Sequence, residues 1–179
     1  MSGDGFPFAL PASRFAAVNR EATTLFEELR KPLLRYLICL GLSADEAQDV
    51  VQDAFLNLHR SLAGGASNEN ARAWLFSVAH NQARNRQKSY HRRFGRPLED
   101  GVLEMLDEST PEHAVLKKEK FRQLSSAIRT LTEAERDCLM LRAEGLRYRE
   151  IGEVLEMATS TVADTVDRAV RKLAGKCNV

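Results

Sequence analysis

Between Ala71 and Leu98 the chain carries seven Lys or Arg and no Asp or Glu, whereas between Tyr36 and His59 it carries four acidic residues and no Lys or Arg. Segregated charge does two kinds of chemistry. Guanidinium and ammonium groups neutralise phosphates, and carboxylates pair with arginines on another protein surface. The first run therefore suits a polyanion and the second a basic protein, although a charged run is most often just a solvated helix face. A third feature lies in the last fifty residues. A short helix from Tyr148 to Leu155, a turn at Glu156, Met157 and Ala158, and a longer helix from about Thr159 to Leu173 have the proportions of a helix-turn-helix. Packing Ile151, Val154 and Leu155 against Val162, Val166, Ala169 and Val170 leaves Ser160, Thr161, Ala163, Asp164, Thr165 and Arg168 pointing outward. The exposed start of such a second helix fits a major groove, where side chains reach base edges. Three-helix clusters that bind no DNA share this pattern.

Other chemistries find no support. Cys39, Cys138 and Cys177 are odd in number and far apart, and none has a Cys or His neighbour at metal-ligand spacing, so they read as reduced thiols and no metal is expected. No acid/base pair, activated nucleophile or phosphate-cradling loop appears, so neither enzymatic activity nor a cofactor is expected.

These features must be positioned by helices. The 179 residues include 44% hydrophobic and 28% charged side chains, and the net charge of +1 conceals 26 basic and 25 acidic groups arranged in runs. Two apolar-periodic blocks separated by a polar stretch predict two small helical modules. Residues 1–20, with Gly3, Gly5, Pro7 and Pro11, read as a flexible lead-in without core. Leu25, Phe26, Leu29, Leu33, Tyr36, Leu37 and Leu40 predict a helix from near Glu21 to Leu40, ended by Gly41 and open to bending at Pro32. Ser43 and Glu46 form a capping box that opens a second helix to about Leu62, before Gly64 and Gly65. A third, from about Asn70 to Arg92, buries Trp74, Leu75, Val78 and Ala79 and then turns basic; helical spacing favours core packing for Trp74 over a stacking role. Residues 97–111 read as a flexible acidic linker, and Thr110 with Pro111 suits a new helix start. Phe121, Leu124, Ile128 and Leu131 predict an amphipathic helix, and a second capping box, Thr132 with Glu135, opens one that closes at Gly145. No strand-like alternation, internal repeat, signal peptide or membrane-length apolar run appears, so an all-α cytoplasmic protein without membrane insertion is expected.

The stretch Leu131-Thr-Glu-Ala-Glu-Arg-Asp-Cys-Leu-Met-Leu-Arg-Ala-Glu-Gly145, with Tyr148-Arg-Glu-Ile-Gly152 and Ser160-Thr-Val162, resembles region 4 of bacterial sigma-70-type sigma factors of the extracytoplasmic-function (ECF) group. Upstream, Ala44-Asp-Glu-Ala-Gln-Asp-Val-Val-Gln-Asp-Ala-Phe-Leu-Asn-Leu58 resembles region 2.2 of that group, and Ala73-Trp-Leu-Phe-Ser-Val-Ala-His-Asn-Gln-Ala-Arg84 its regions 2.3 and 2.4. The resemblance covers roughly residues 23–96 and 111–173. It implies region 2 over residues 21–96 and a region 4 helix-turn-helix over residues 112–179.

The resemblance also implies partners and site residues. Asp45, Glu46, Asp49, Gln52, Asp53 and Asn57 would dock on the Arg-rich β′ clamp of core RNA polymerase, with region 4 on the β flap. Asn81, Arg84, Asn85, Lys88, Arg92 and Arg93, with Asn70 in the loop where the base pocket forms, would open and hold the −10 promoter strand. Tyr148, Ser160, Thr161, Asp164, Thr165, Arg168, Arg171 and Lys172 would contact −35 DNA, and an anti-sigma factor is a possible partner. Asn85 and Lys88 stand where the family commonly has Asp and Arg, and Ala163-Asp164-Thr165 replaces its usual Lys-Ser-Arg-like triplet. Fewer cations weaken phosphate binding, while the Asp164 carboxylate can accept from a cytosine amino group. Glu99, Asp100, Glu104, Asp107 and Glu108 of the linker would either mimic RNA in the polymerase exit path or merely tether the modules. The expected function is a promoter-specificity subunit. A stand-alone helix-turn-helix regulator and a protein-binding adaptor are the alternatives.

Overall fold

The computed structural model describes residues 12–67, 69–94, 126–128 and 130–177. Among these residues every regular element is helical: α1 (Ala12–Cys39), α2 (Ala44–Ala63), α3 (Ala71–Phe94), α4 (Glu133–Ala143), α5 (Tyr148–Leu155) and α6 (Thr159–Cys177). The acidic linker lies outside the described residues. So do Phe121 and Leu124 of the amphipathic helix expected after it.

α1, α2 and α3 pack on one another around Leu33, Tyr36, Leu37, Val50, Ala54, Leu75, Phe76 and Ala79, all fully buried. Each large apolar side chain withdrawn from water here contributes about 1.5–3 kcal/mol before the cost of ordering the chain. Small residues decide how closely the helices approach, and Ala47, Ala54, Ala79 and Ala83 stand where a longer side chain would push them apart. Gly41, at φ +96°, closes α1 in a conformation that a Cβ disfavours. Ser43 then caps α2: its hydroxyl accepts from the Glu46 backbone N–H, while the Glu46 carboxylate accepts from the Ser43 backbone N–H at 3.0 Å.

α1 begins at Ala12 rather than near Glu21, and it continues through Pro32. The apolar spacing that starts at Phe15 and Val18 joins Ala22, Leu25 and Leu29 on one face, so the lead-in ends before these residues. Val18 is buried, and Asn19 hydrogen-bonds His59 at 2.7 Å, which anchors this extra length of helix to α2. Trp74 departs from expectation in the other direction, being 37% exposed. The stripe that faces the core is Ala71, Leu75, Ala79 and Ala83 with Phe76, and one residue of helical rotation carries Trp74 off its edge.

In the second module α4 packs along α6, and α5 packs against both. The Thr132 and Glu135 capping box opens α4, and Gly145, at φ +88°, terminates it. Glu156, in the left-handed region at φ 55°, makes the helix-turn-helix corner. Gly152 lets that corner close: a Cβ on it would stand 2.6 Å from the Met157 carbonyl oxygen. Ile151 and Val154 meet Val162, Val166 and Ala169 in the core, as the spacing predicts. Two side chains exchange roles. Thr165 is buried rather than outward, because it shares the Val162–Ala169 face, whereas Val170 is 48% exposed at the edge of the stripe formed by Val162, Val166, Ala169 and Leu173.

The buried apolar residues of the two modules form one continuous cluster. α5 lies against α3, and α4 touches α1.

Candidate nucleic-acid interface

The acidic helix presents what its sequence predicts. Asp45, Asp49, Gln52, Asp53 and Asn57 are exposed along α2, with the half-exposed Leu56 beside them. Phe26 extends this surface with an apolar patch, 38% exposed, packed edge-on against Phe55 and covered by the Arg30 guanidinium. Glu46 plays a different part. Its carboxylate is committed to the Ser43 backbone N–H and hydroxyl, which hold it below the usual carboxylate range, so its first duty is to cap the helix. Arg86 of α3 comes within 3.9 Å of Asp49 and leaves that carboxylate mostly exposed.

On α3, Asn81, Asn85 and Lys88 are exposed on adjoining turns, and Asn70 is exposed just ahead of the helix. The backbones of Arg92 and Arg93 continue α3, but their side chains lie outside the described residues. Arg84 of α3 is turned toward the second module. Its guanidinium is paired with Asp137 and Glu133 of α4 and also donates to Gln87 at 3.0 Å, so in this arrangement it faces protein rather than a DNA strand.

On the second module Ser160, Thr161, Asp164 and Arg168 form an exposed face at the start of α6. Thr165 is withdrawn from that face by its burial, which corrects the expectation that its side chain points outward. Two expected phosphate-binding cations already have carboxylate partners. Arg171 pairs with Asp167 one turn away, and Lys172 reaches the buried Glu135 at 2.7 Å. That ammonium, followed by the Thr132 backbone N–H, depresses the Glu135 carboxyl. Tyr148 is partly exposed at the start of α5, with the Arg142 guanidinium 5.3 Å from its ring centroid. The cationic character of this face thus rests on Arg168 together with Arg142 and Arg147 around Tyr148, while Arg149 pairs with Glu153 at 3.4 Å.

The sequence gives no signal for a second set of polar residues, which joins the modules. Arg35 of α1 forms a bidentate pair with Glu144, at 3.0 and 2.6 Å, and Arg72 of α3 donates to the Glu144 carbonyl oxygen at 2.5 Å. Close by, the buried Tyr36 hydroxyl and His80 Nδ1 lie 2.7 Å apart. Burial, aided by Arg84, pushes His80 down to about 4, and burial raises the Asp137 carboxyl while Arg84 opposes it. These partners are far apart in the chain, 109 residues for Arg35 and Glu144 and 72 for Arg72 and Glu144, so no local spacing announces them. Among the described residues no group of His, Cys, Asp or Glu is arranged to hold a metal, and no helix is long and apolar enough to cross a membrane.

Known proteins share this arrangement. The sigma-70 region 2 family model matches residues 25–93, and the sigma-70 region 4 model matches residues 121–173. An RNA polymerase sigma-H factor of Pseudomonas aeruginosa is 33% identical over 70% of this chain and 70% of its own. An ECF RNA polymerase sigma-E factor of Haemophilus influenzae is 30% identical over 78% of this chain and 79% of its own. Among solved structures, the sigma factor RpoE of Bartonella quintana, in complex with the anti-sigma factor NepR, superposes with a TM-score of 0.66 at 23% identity, covering 90% of this chain and 98% of that one. Two matched modules in the same order, with relatives aligned across both, lead to one conclusion: the chain belongs to the sigma-70 family of bacterial RNA polymerase sigma factors, in its extracytoplasmic-function group.

Proposed function

We propose that this chain is a promoter-specificity subunit that joins core RNA polymerase through α2, opens and holds the −10 region through α3, and anchors upstream DNA through α5 and α6. The observation that carries this reading is the exposed stripe of Asp45, Asp49, Gln52, Asp53 and Asn57 on a helix held rigid by its capping box, next to a helix that exposes Asn81, Asn85 and Lys88. Carboxylates on a fixed helix are preorganised for guanidinium groups, so little side-chain and backbone freedom is lost on docking. The partner is the β′ clamp, with the second module on the β flap. The neighbour held by an anti-sigma factor makes a protein inhibitor of the same kind a partner here. Polymerisation stays with the polymerase, and this chain supplies binding energy and strand opening.

With Asp164 exposed and Thr165 buried, base reading at the −35 element falls to Ser160, Thr161 and Asp164. A carboxylate there favours a cytosine amino group over phosphate contact. The test is co-sedimentation of the purified chain with core polymerase. Asp49→Arg and Asp53→Arg leave the fold intact, because both side chains are exposed, and each weakens association roughly tenfold or more. A stand-alone helix-turn-helix regulator would bind DNA as before and show no polymerase association to lose.

A further inference from the structure

α1 begins at Ala12, well ahead of residue 25, where the match to the region 2 family model starts. The added turns run antiparallel to the end of α2. Phe26 meets Phe55, Asn19 meets His59, and Arg14 comes to Gly65, so the start of α1 reaches past the end of α2 onto the loop that leads to α3. On that loop Gly65, at φ +96°, leaves room for the arginine: a Cβ there would stand 2.8 Å from an Arg14 guanidinium nitrogen. Phe15 lies beside it, edge-on to His59 with ring centroids 6.3 Å apart. Val18, on the next turn, is buried, yet Phe15 is 50% exposed, so packing uses only part of this ring.

No carboxylate competes for the cations here. Residues 5–20 contain Arg14 and Arg20 but no Asp or Glu, and residues 54–68 contain Arg60 but no Asp or Glu. Among the described residues no hydrogen bond or ion pair engages the side chains of Arg14 and Arg60, and Glu69, the one carboxylate of the 64–70 loop, pairs with neither. An unpaired guanidinium beside a half-bare aromatic ring is suited to single-stranded nucleic acid, since the cation neutralises a phosphate while the ring stacks on a base. Ser67 and Asn70, exposed in the same loop, continue this surface to the start of α3.

We propose that Arg14 and Phe15 form a further contact for single-stranded nucleic acid, Phe15 stacking on a base and Arg14 neutralising an adjoining phosphate as the opened strand passes the 64–70 loop. The inference rests on the reading of α3 as a strand-binding helix, because the loop joins the two surfaces. Every base has a face to stack and every nucleotide a phosphate, so this contact adds affinity for an unpaired strand and no sequence preference.

The test uses the full chain without polymerase, titrated against fluorescently labelled oligo(dT) by anisotropy between about 0.05 M and about 0.2 M salt. Phe15→Leu keeps an apolar side chain against His59 but offers no stacking face; it weakens binding about tenfold, and Phe15→Trp retains it. Arg14→Gln weakens binding less and lowers the slope of log affinity against log salt by about 0.7. Arg20→Gln removes the same charge from the side of α1 opposite Val18 and changes neither quantity. Circular dichroism checks the fold of each variant, and Arg14→Gln, at an exposed position, decides the question if Phe15→Leu is destabilised. Unchanged affinity in Phe15→Leu, an unchanged salt slope in Arg14→Gln, or a wild-type chain that does not bind oligo(dT) at low salt overturns the proposal. Variants that keep oligo(dT) binding but lose core polymerase make the patch a protein-docking surface and overturn it as well. A chain that binds oligo(dT) as described but never associates with core polymerase removes the proposed function and leaves this contact standing.

Discussion

The buried Tyr36 and the half-buried His80 tie stability to pH. The Tyr36 ring is fully buried between helices and lies near Phe76, with ring centroids 5.6 Å apart, while its hydroxyl meets His80 Nδ1. Burial lowers the His80 pKa from an ordinary 6.5 to about 4, and the neighbouring Arg84 adds to the effect. In the unfolded chain the ring takes up a proton near pH 6.5, whereas in the folded chain it resists until about pH 4. The contribution of the neutral ring is therefore fully present above pH 6.5 and is lost as pH falls from there toward 4. Thermal melts over that window should fall more steeply for wild type than for His80→Gln, by about 4 °C at the acid end; parallel curves would remove His80 from the account. Cys138, fully buried and pushed up to about 11 by burial and by Asp137, stays a thiol throughout this range. At this scale the sequence was informative about residue type and silent about partners. The cations of α3 were evident, but nothing near Arg84 in the chain indicates that Glu133 and Asp137, some fifty positions on, hold it.

Among the elements, the two capping boxes and the glycine stops placed helix boundaries well, because each is a local device whose residues lie within one turn. Ser43 with Glu46 and Thr132 with Glu135 begin α2 and α4 as their spacing predicts. What spacing misjudged is rotation. Trp74 and Thr165 lie one helical step from where their type placed them, since the centre of a buried stripe is set by the neighbouring helix and not by the stripe's own sequence. The start of α1 was missed for a related reason: Pro7 and Pro11 suggested disorder, and Phe15 and Val18 become helical because α2 offers His59 and a core to meet. The helix-turn-helix corner yields a sharp prediction. Gly152→Ala sets a methyl 2.6 Å from the Met157 carbonyl oxygen, a backbone atom that cannot swing aside. The corner opens at a cost of about 1–3 kcal/mol in denaturant unfolding, and α6 shifts relative to α5. An unchanged midpoint would mean that the turn tolerates more than this packing allows.

At the scale of the molecule, class and module order were legible because the motifs of regions 2 and 4 are local, and the family models match the same stretches, residues 25–93 and 121–173. The arrangement of the modules was not legible. It depends on Arg35, Arg72, Arg84 and a continuous apolar contact across a junction whose halves are far apart in sequence. In the proposed function an acidic helix joins polymerase while a neighbouring helix opens and holds promoter strands. Run-off transcription on genomic fragments with purified core polymerase tests this. Discrete start sites are expected with the wild-type chain, and their disappearance with Asp49→Arg at equal protein concentration. Core polymerase that initiates at the same sites with the variant, or at none with wild type under low salt and without any inhibitor, would contradict it.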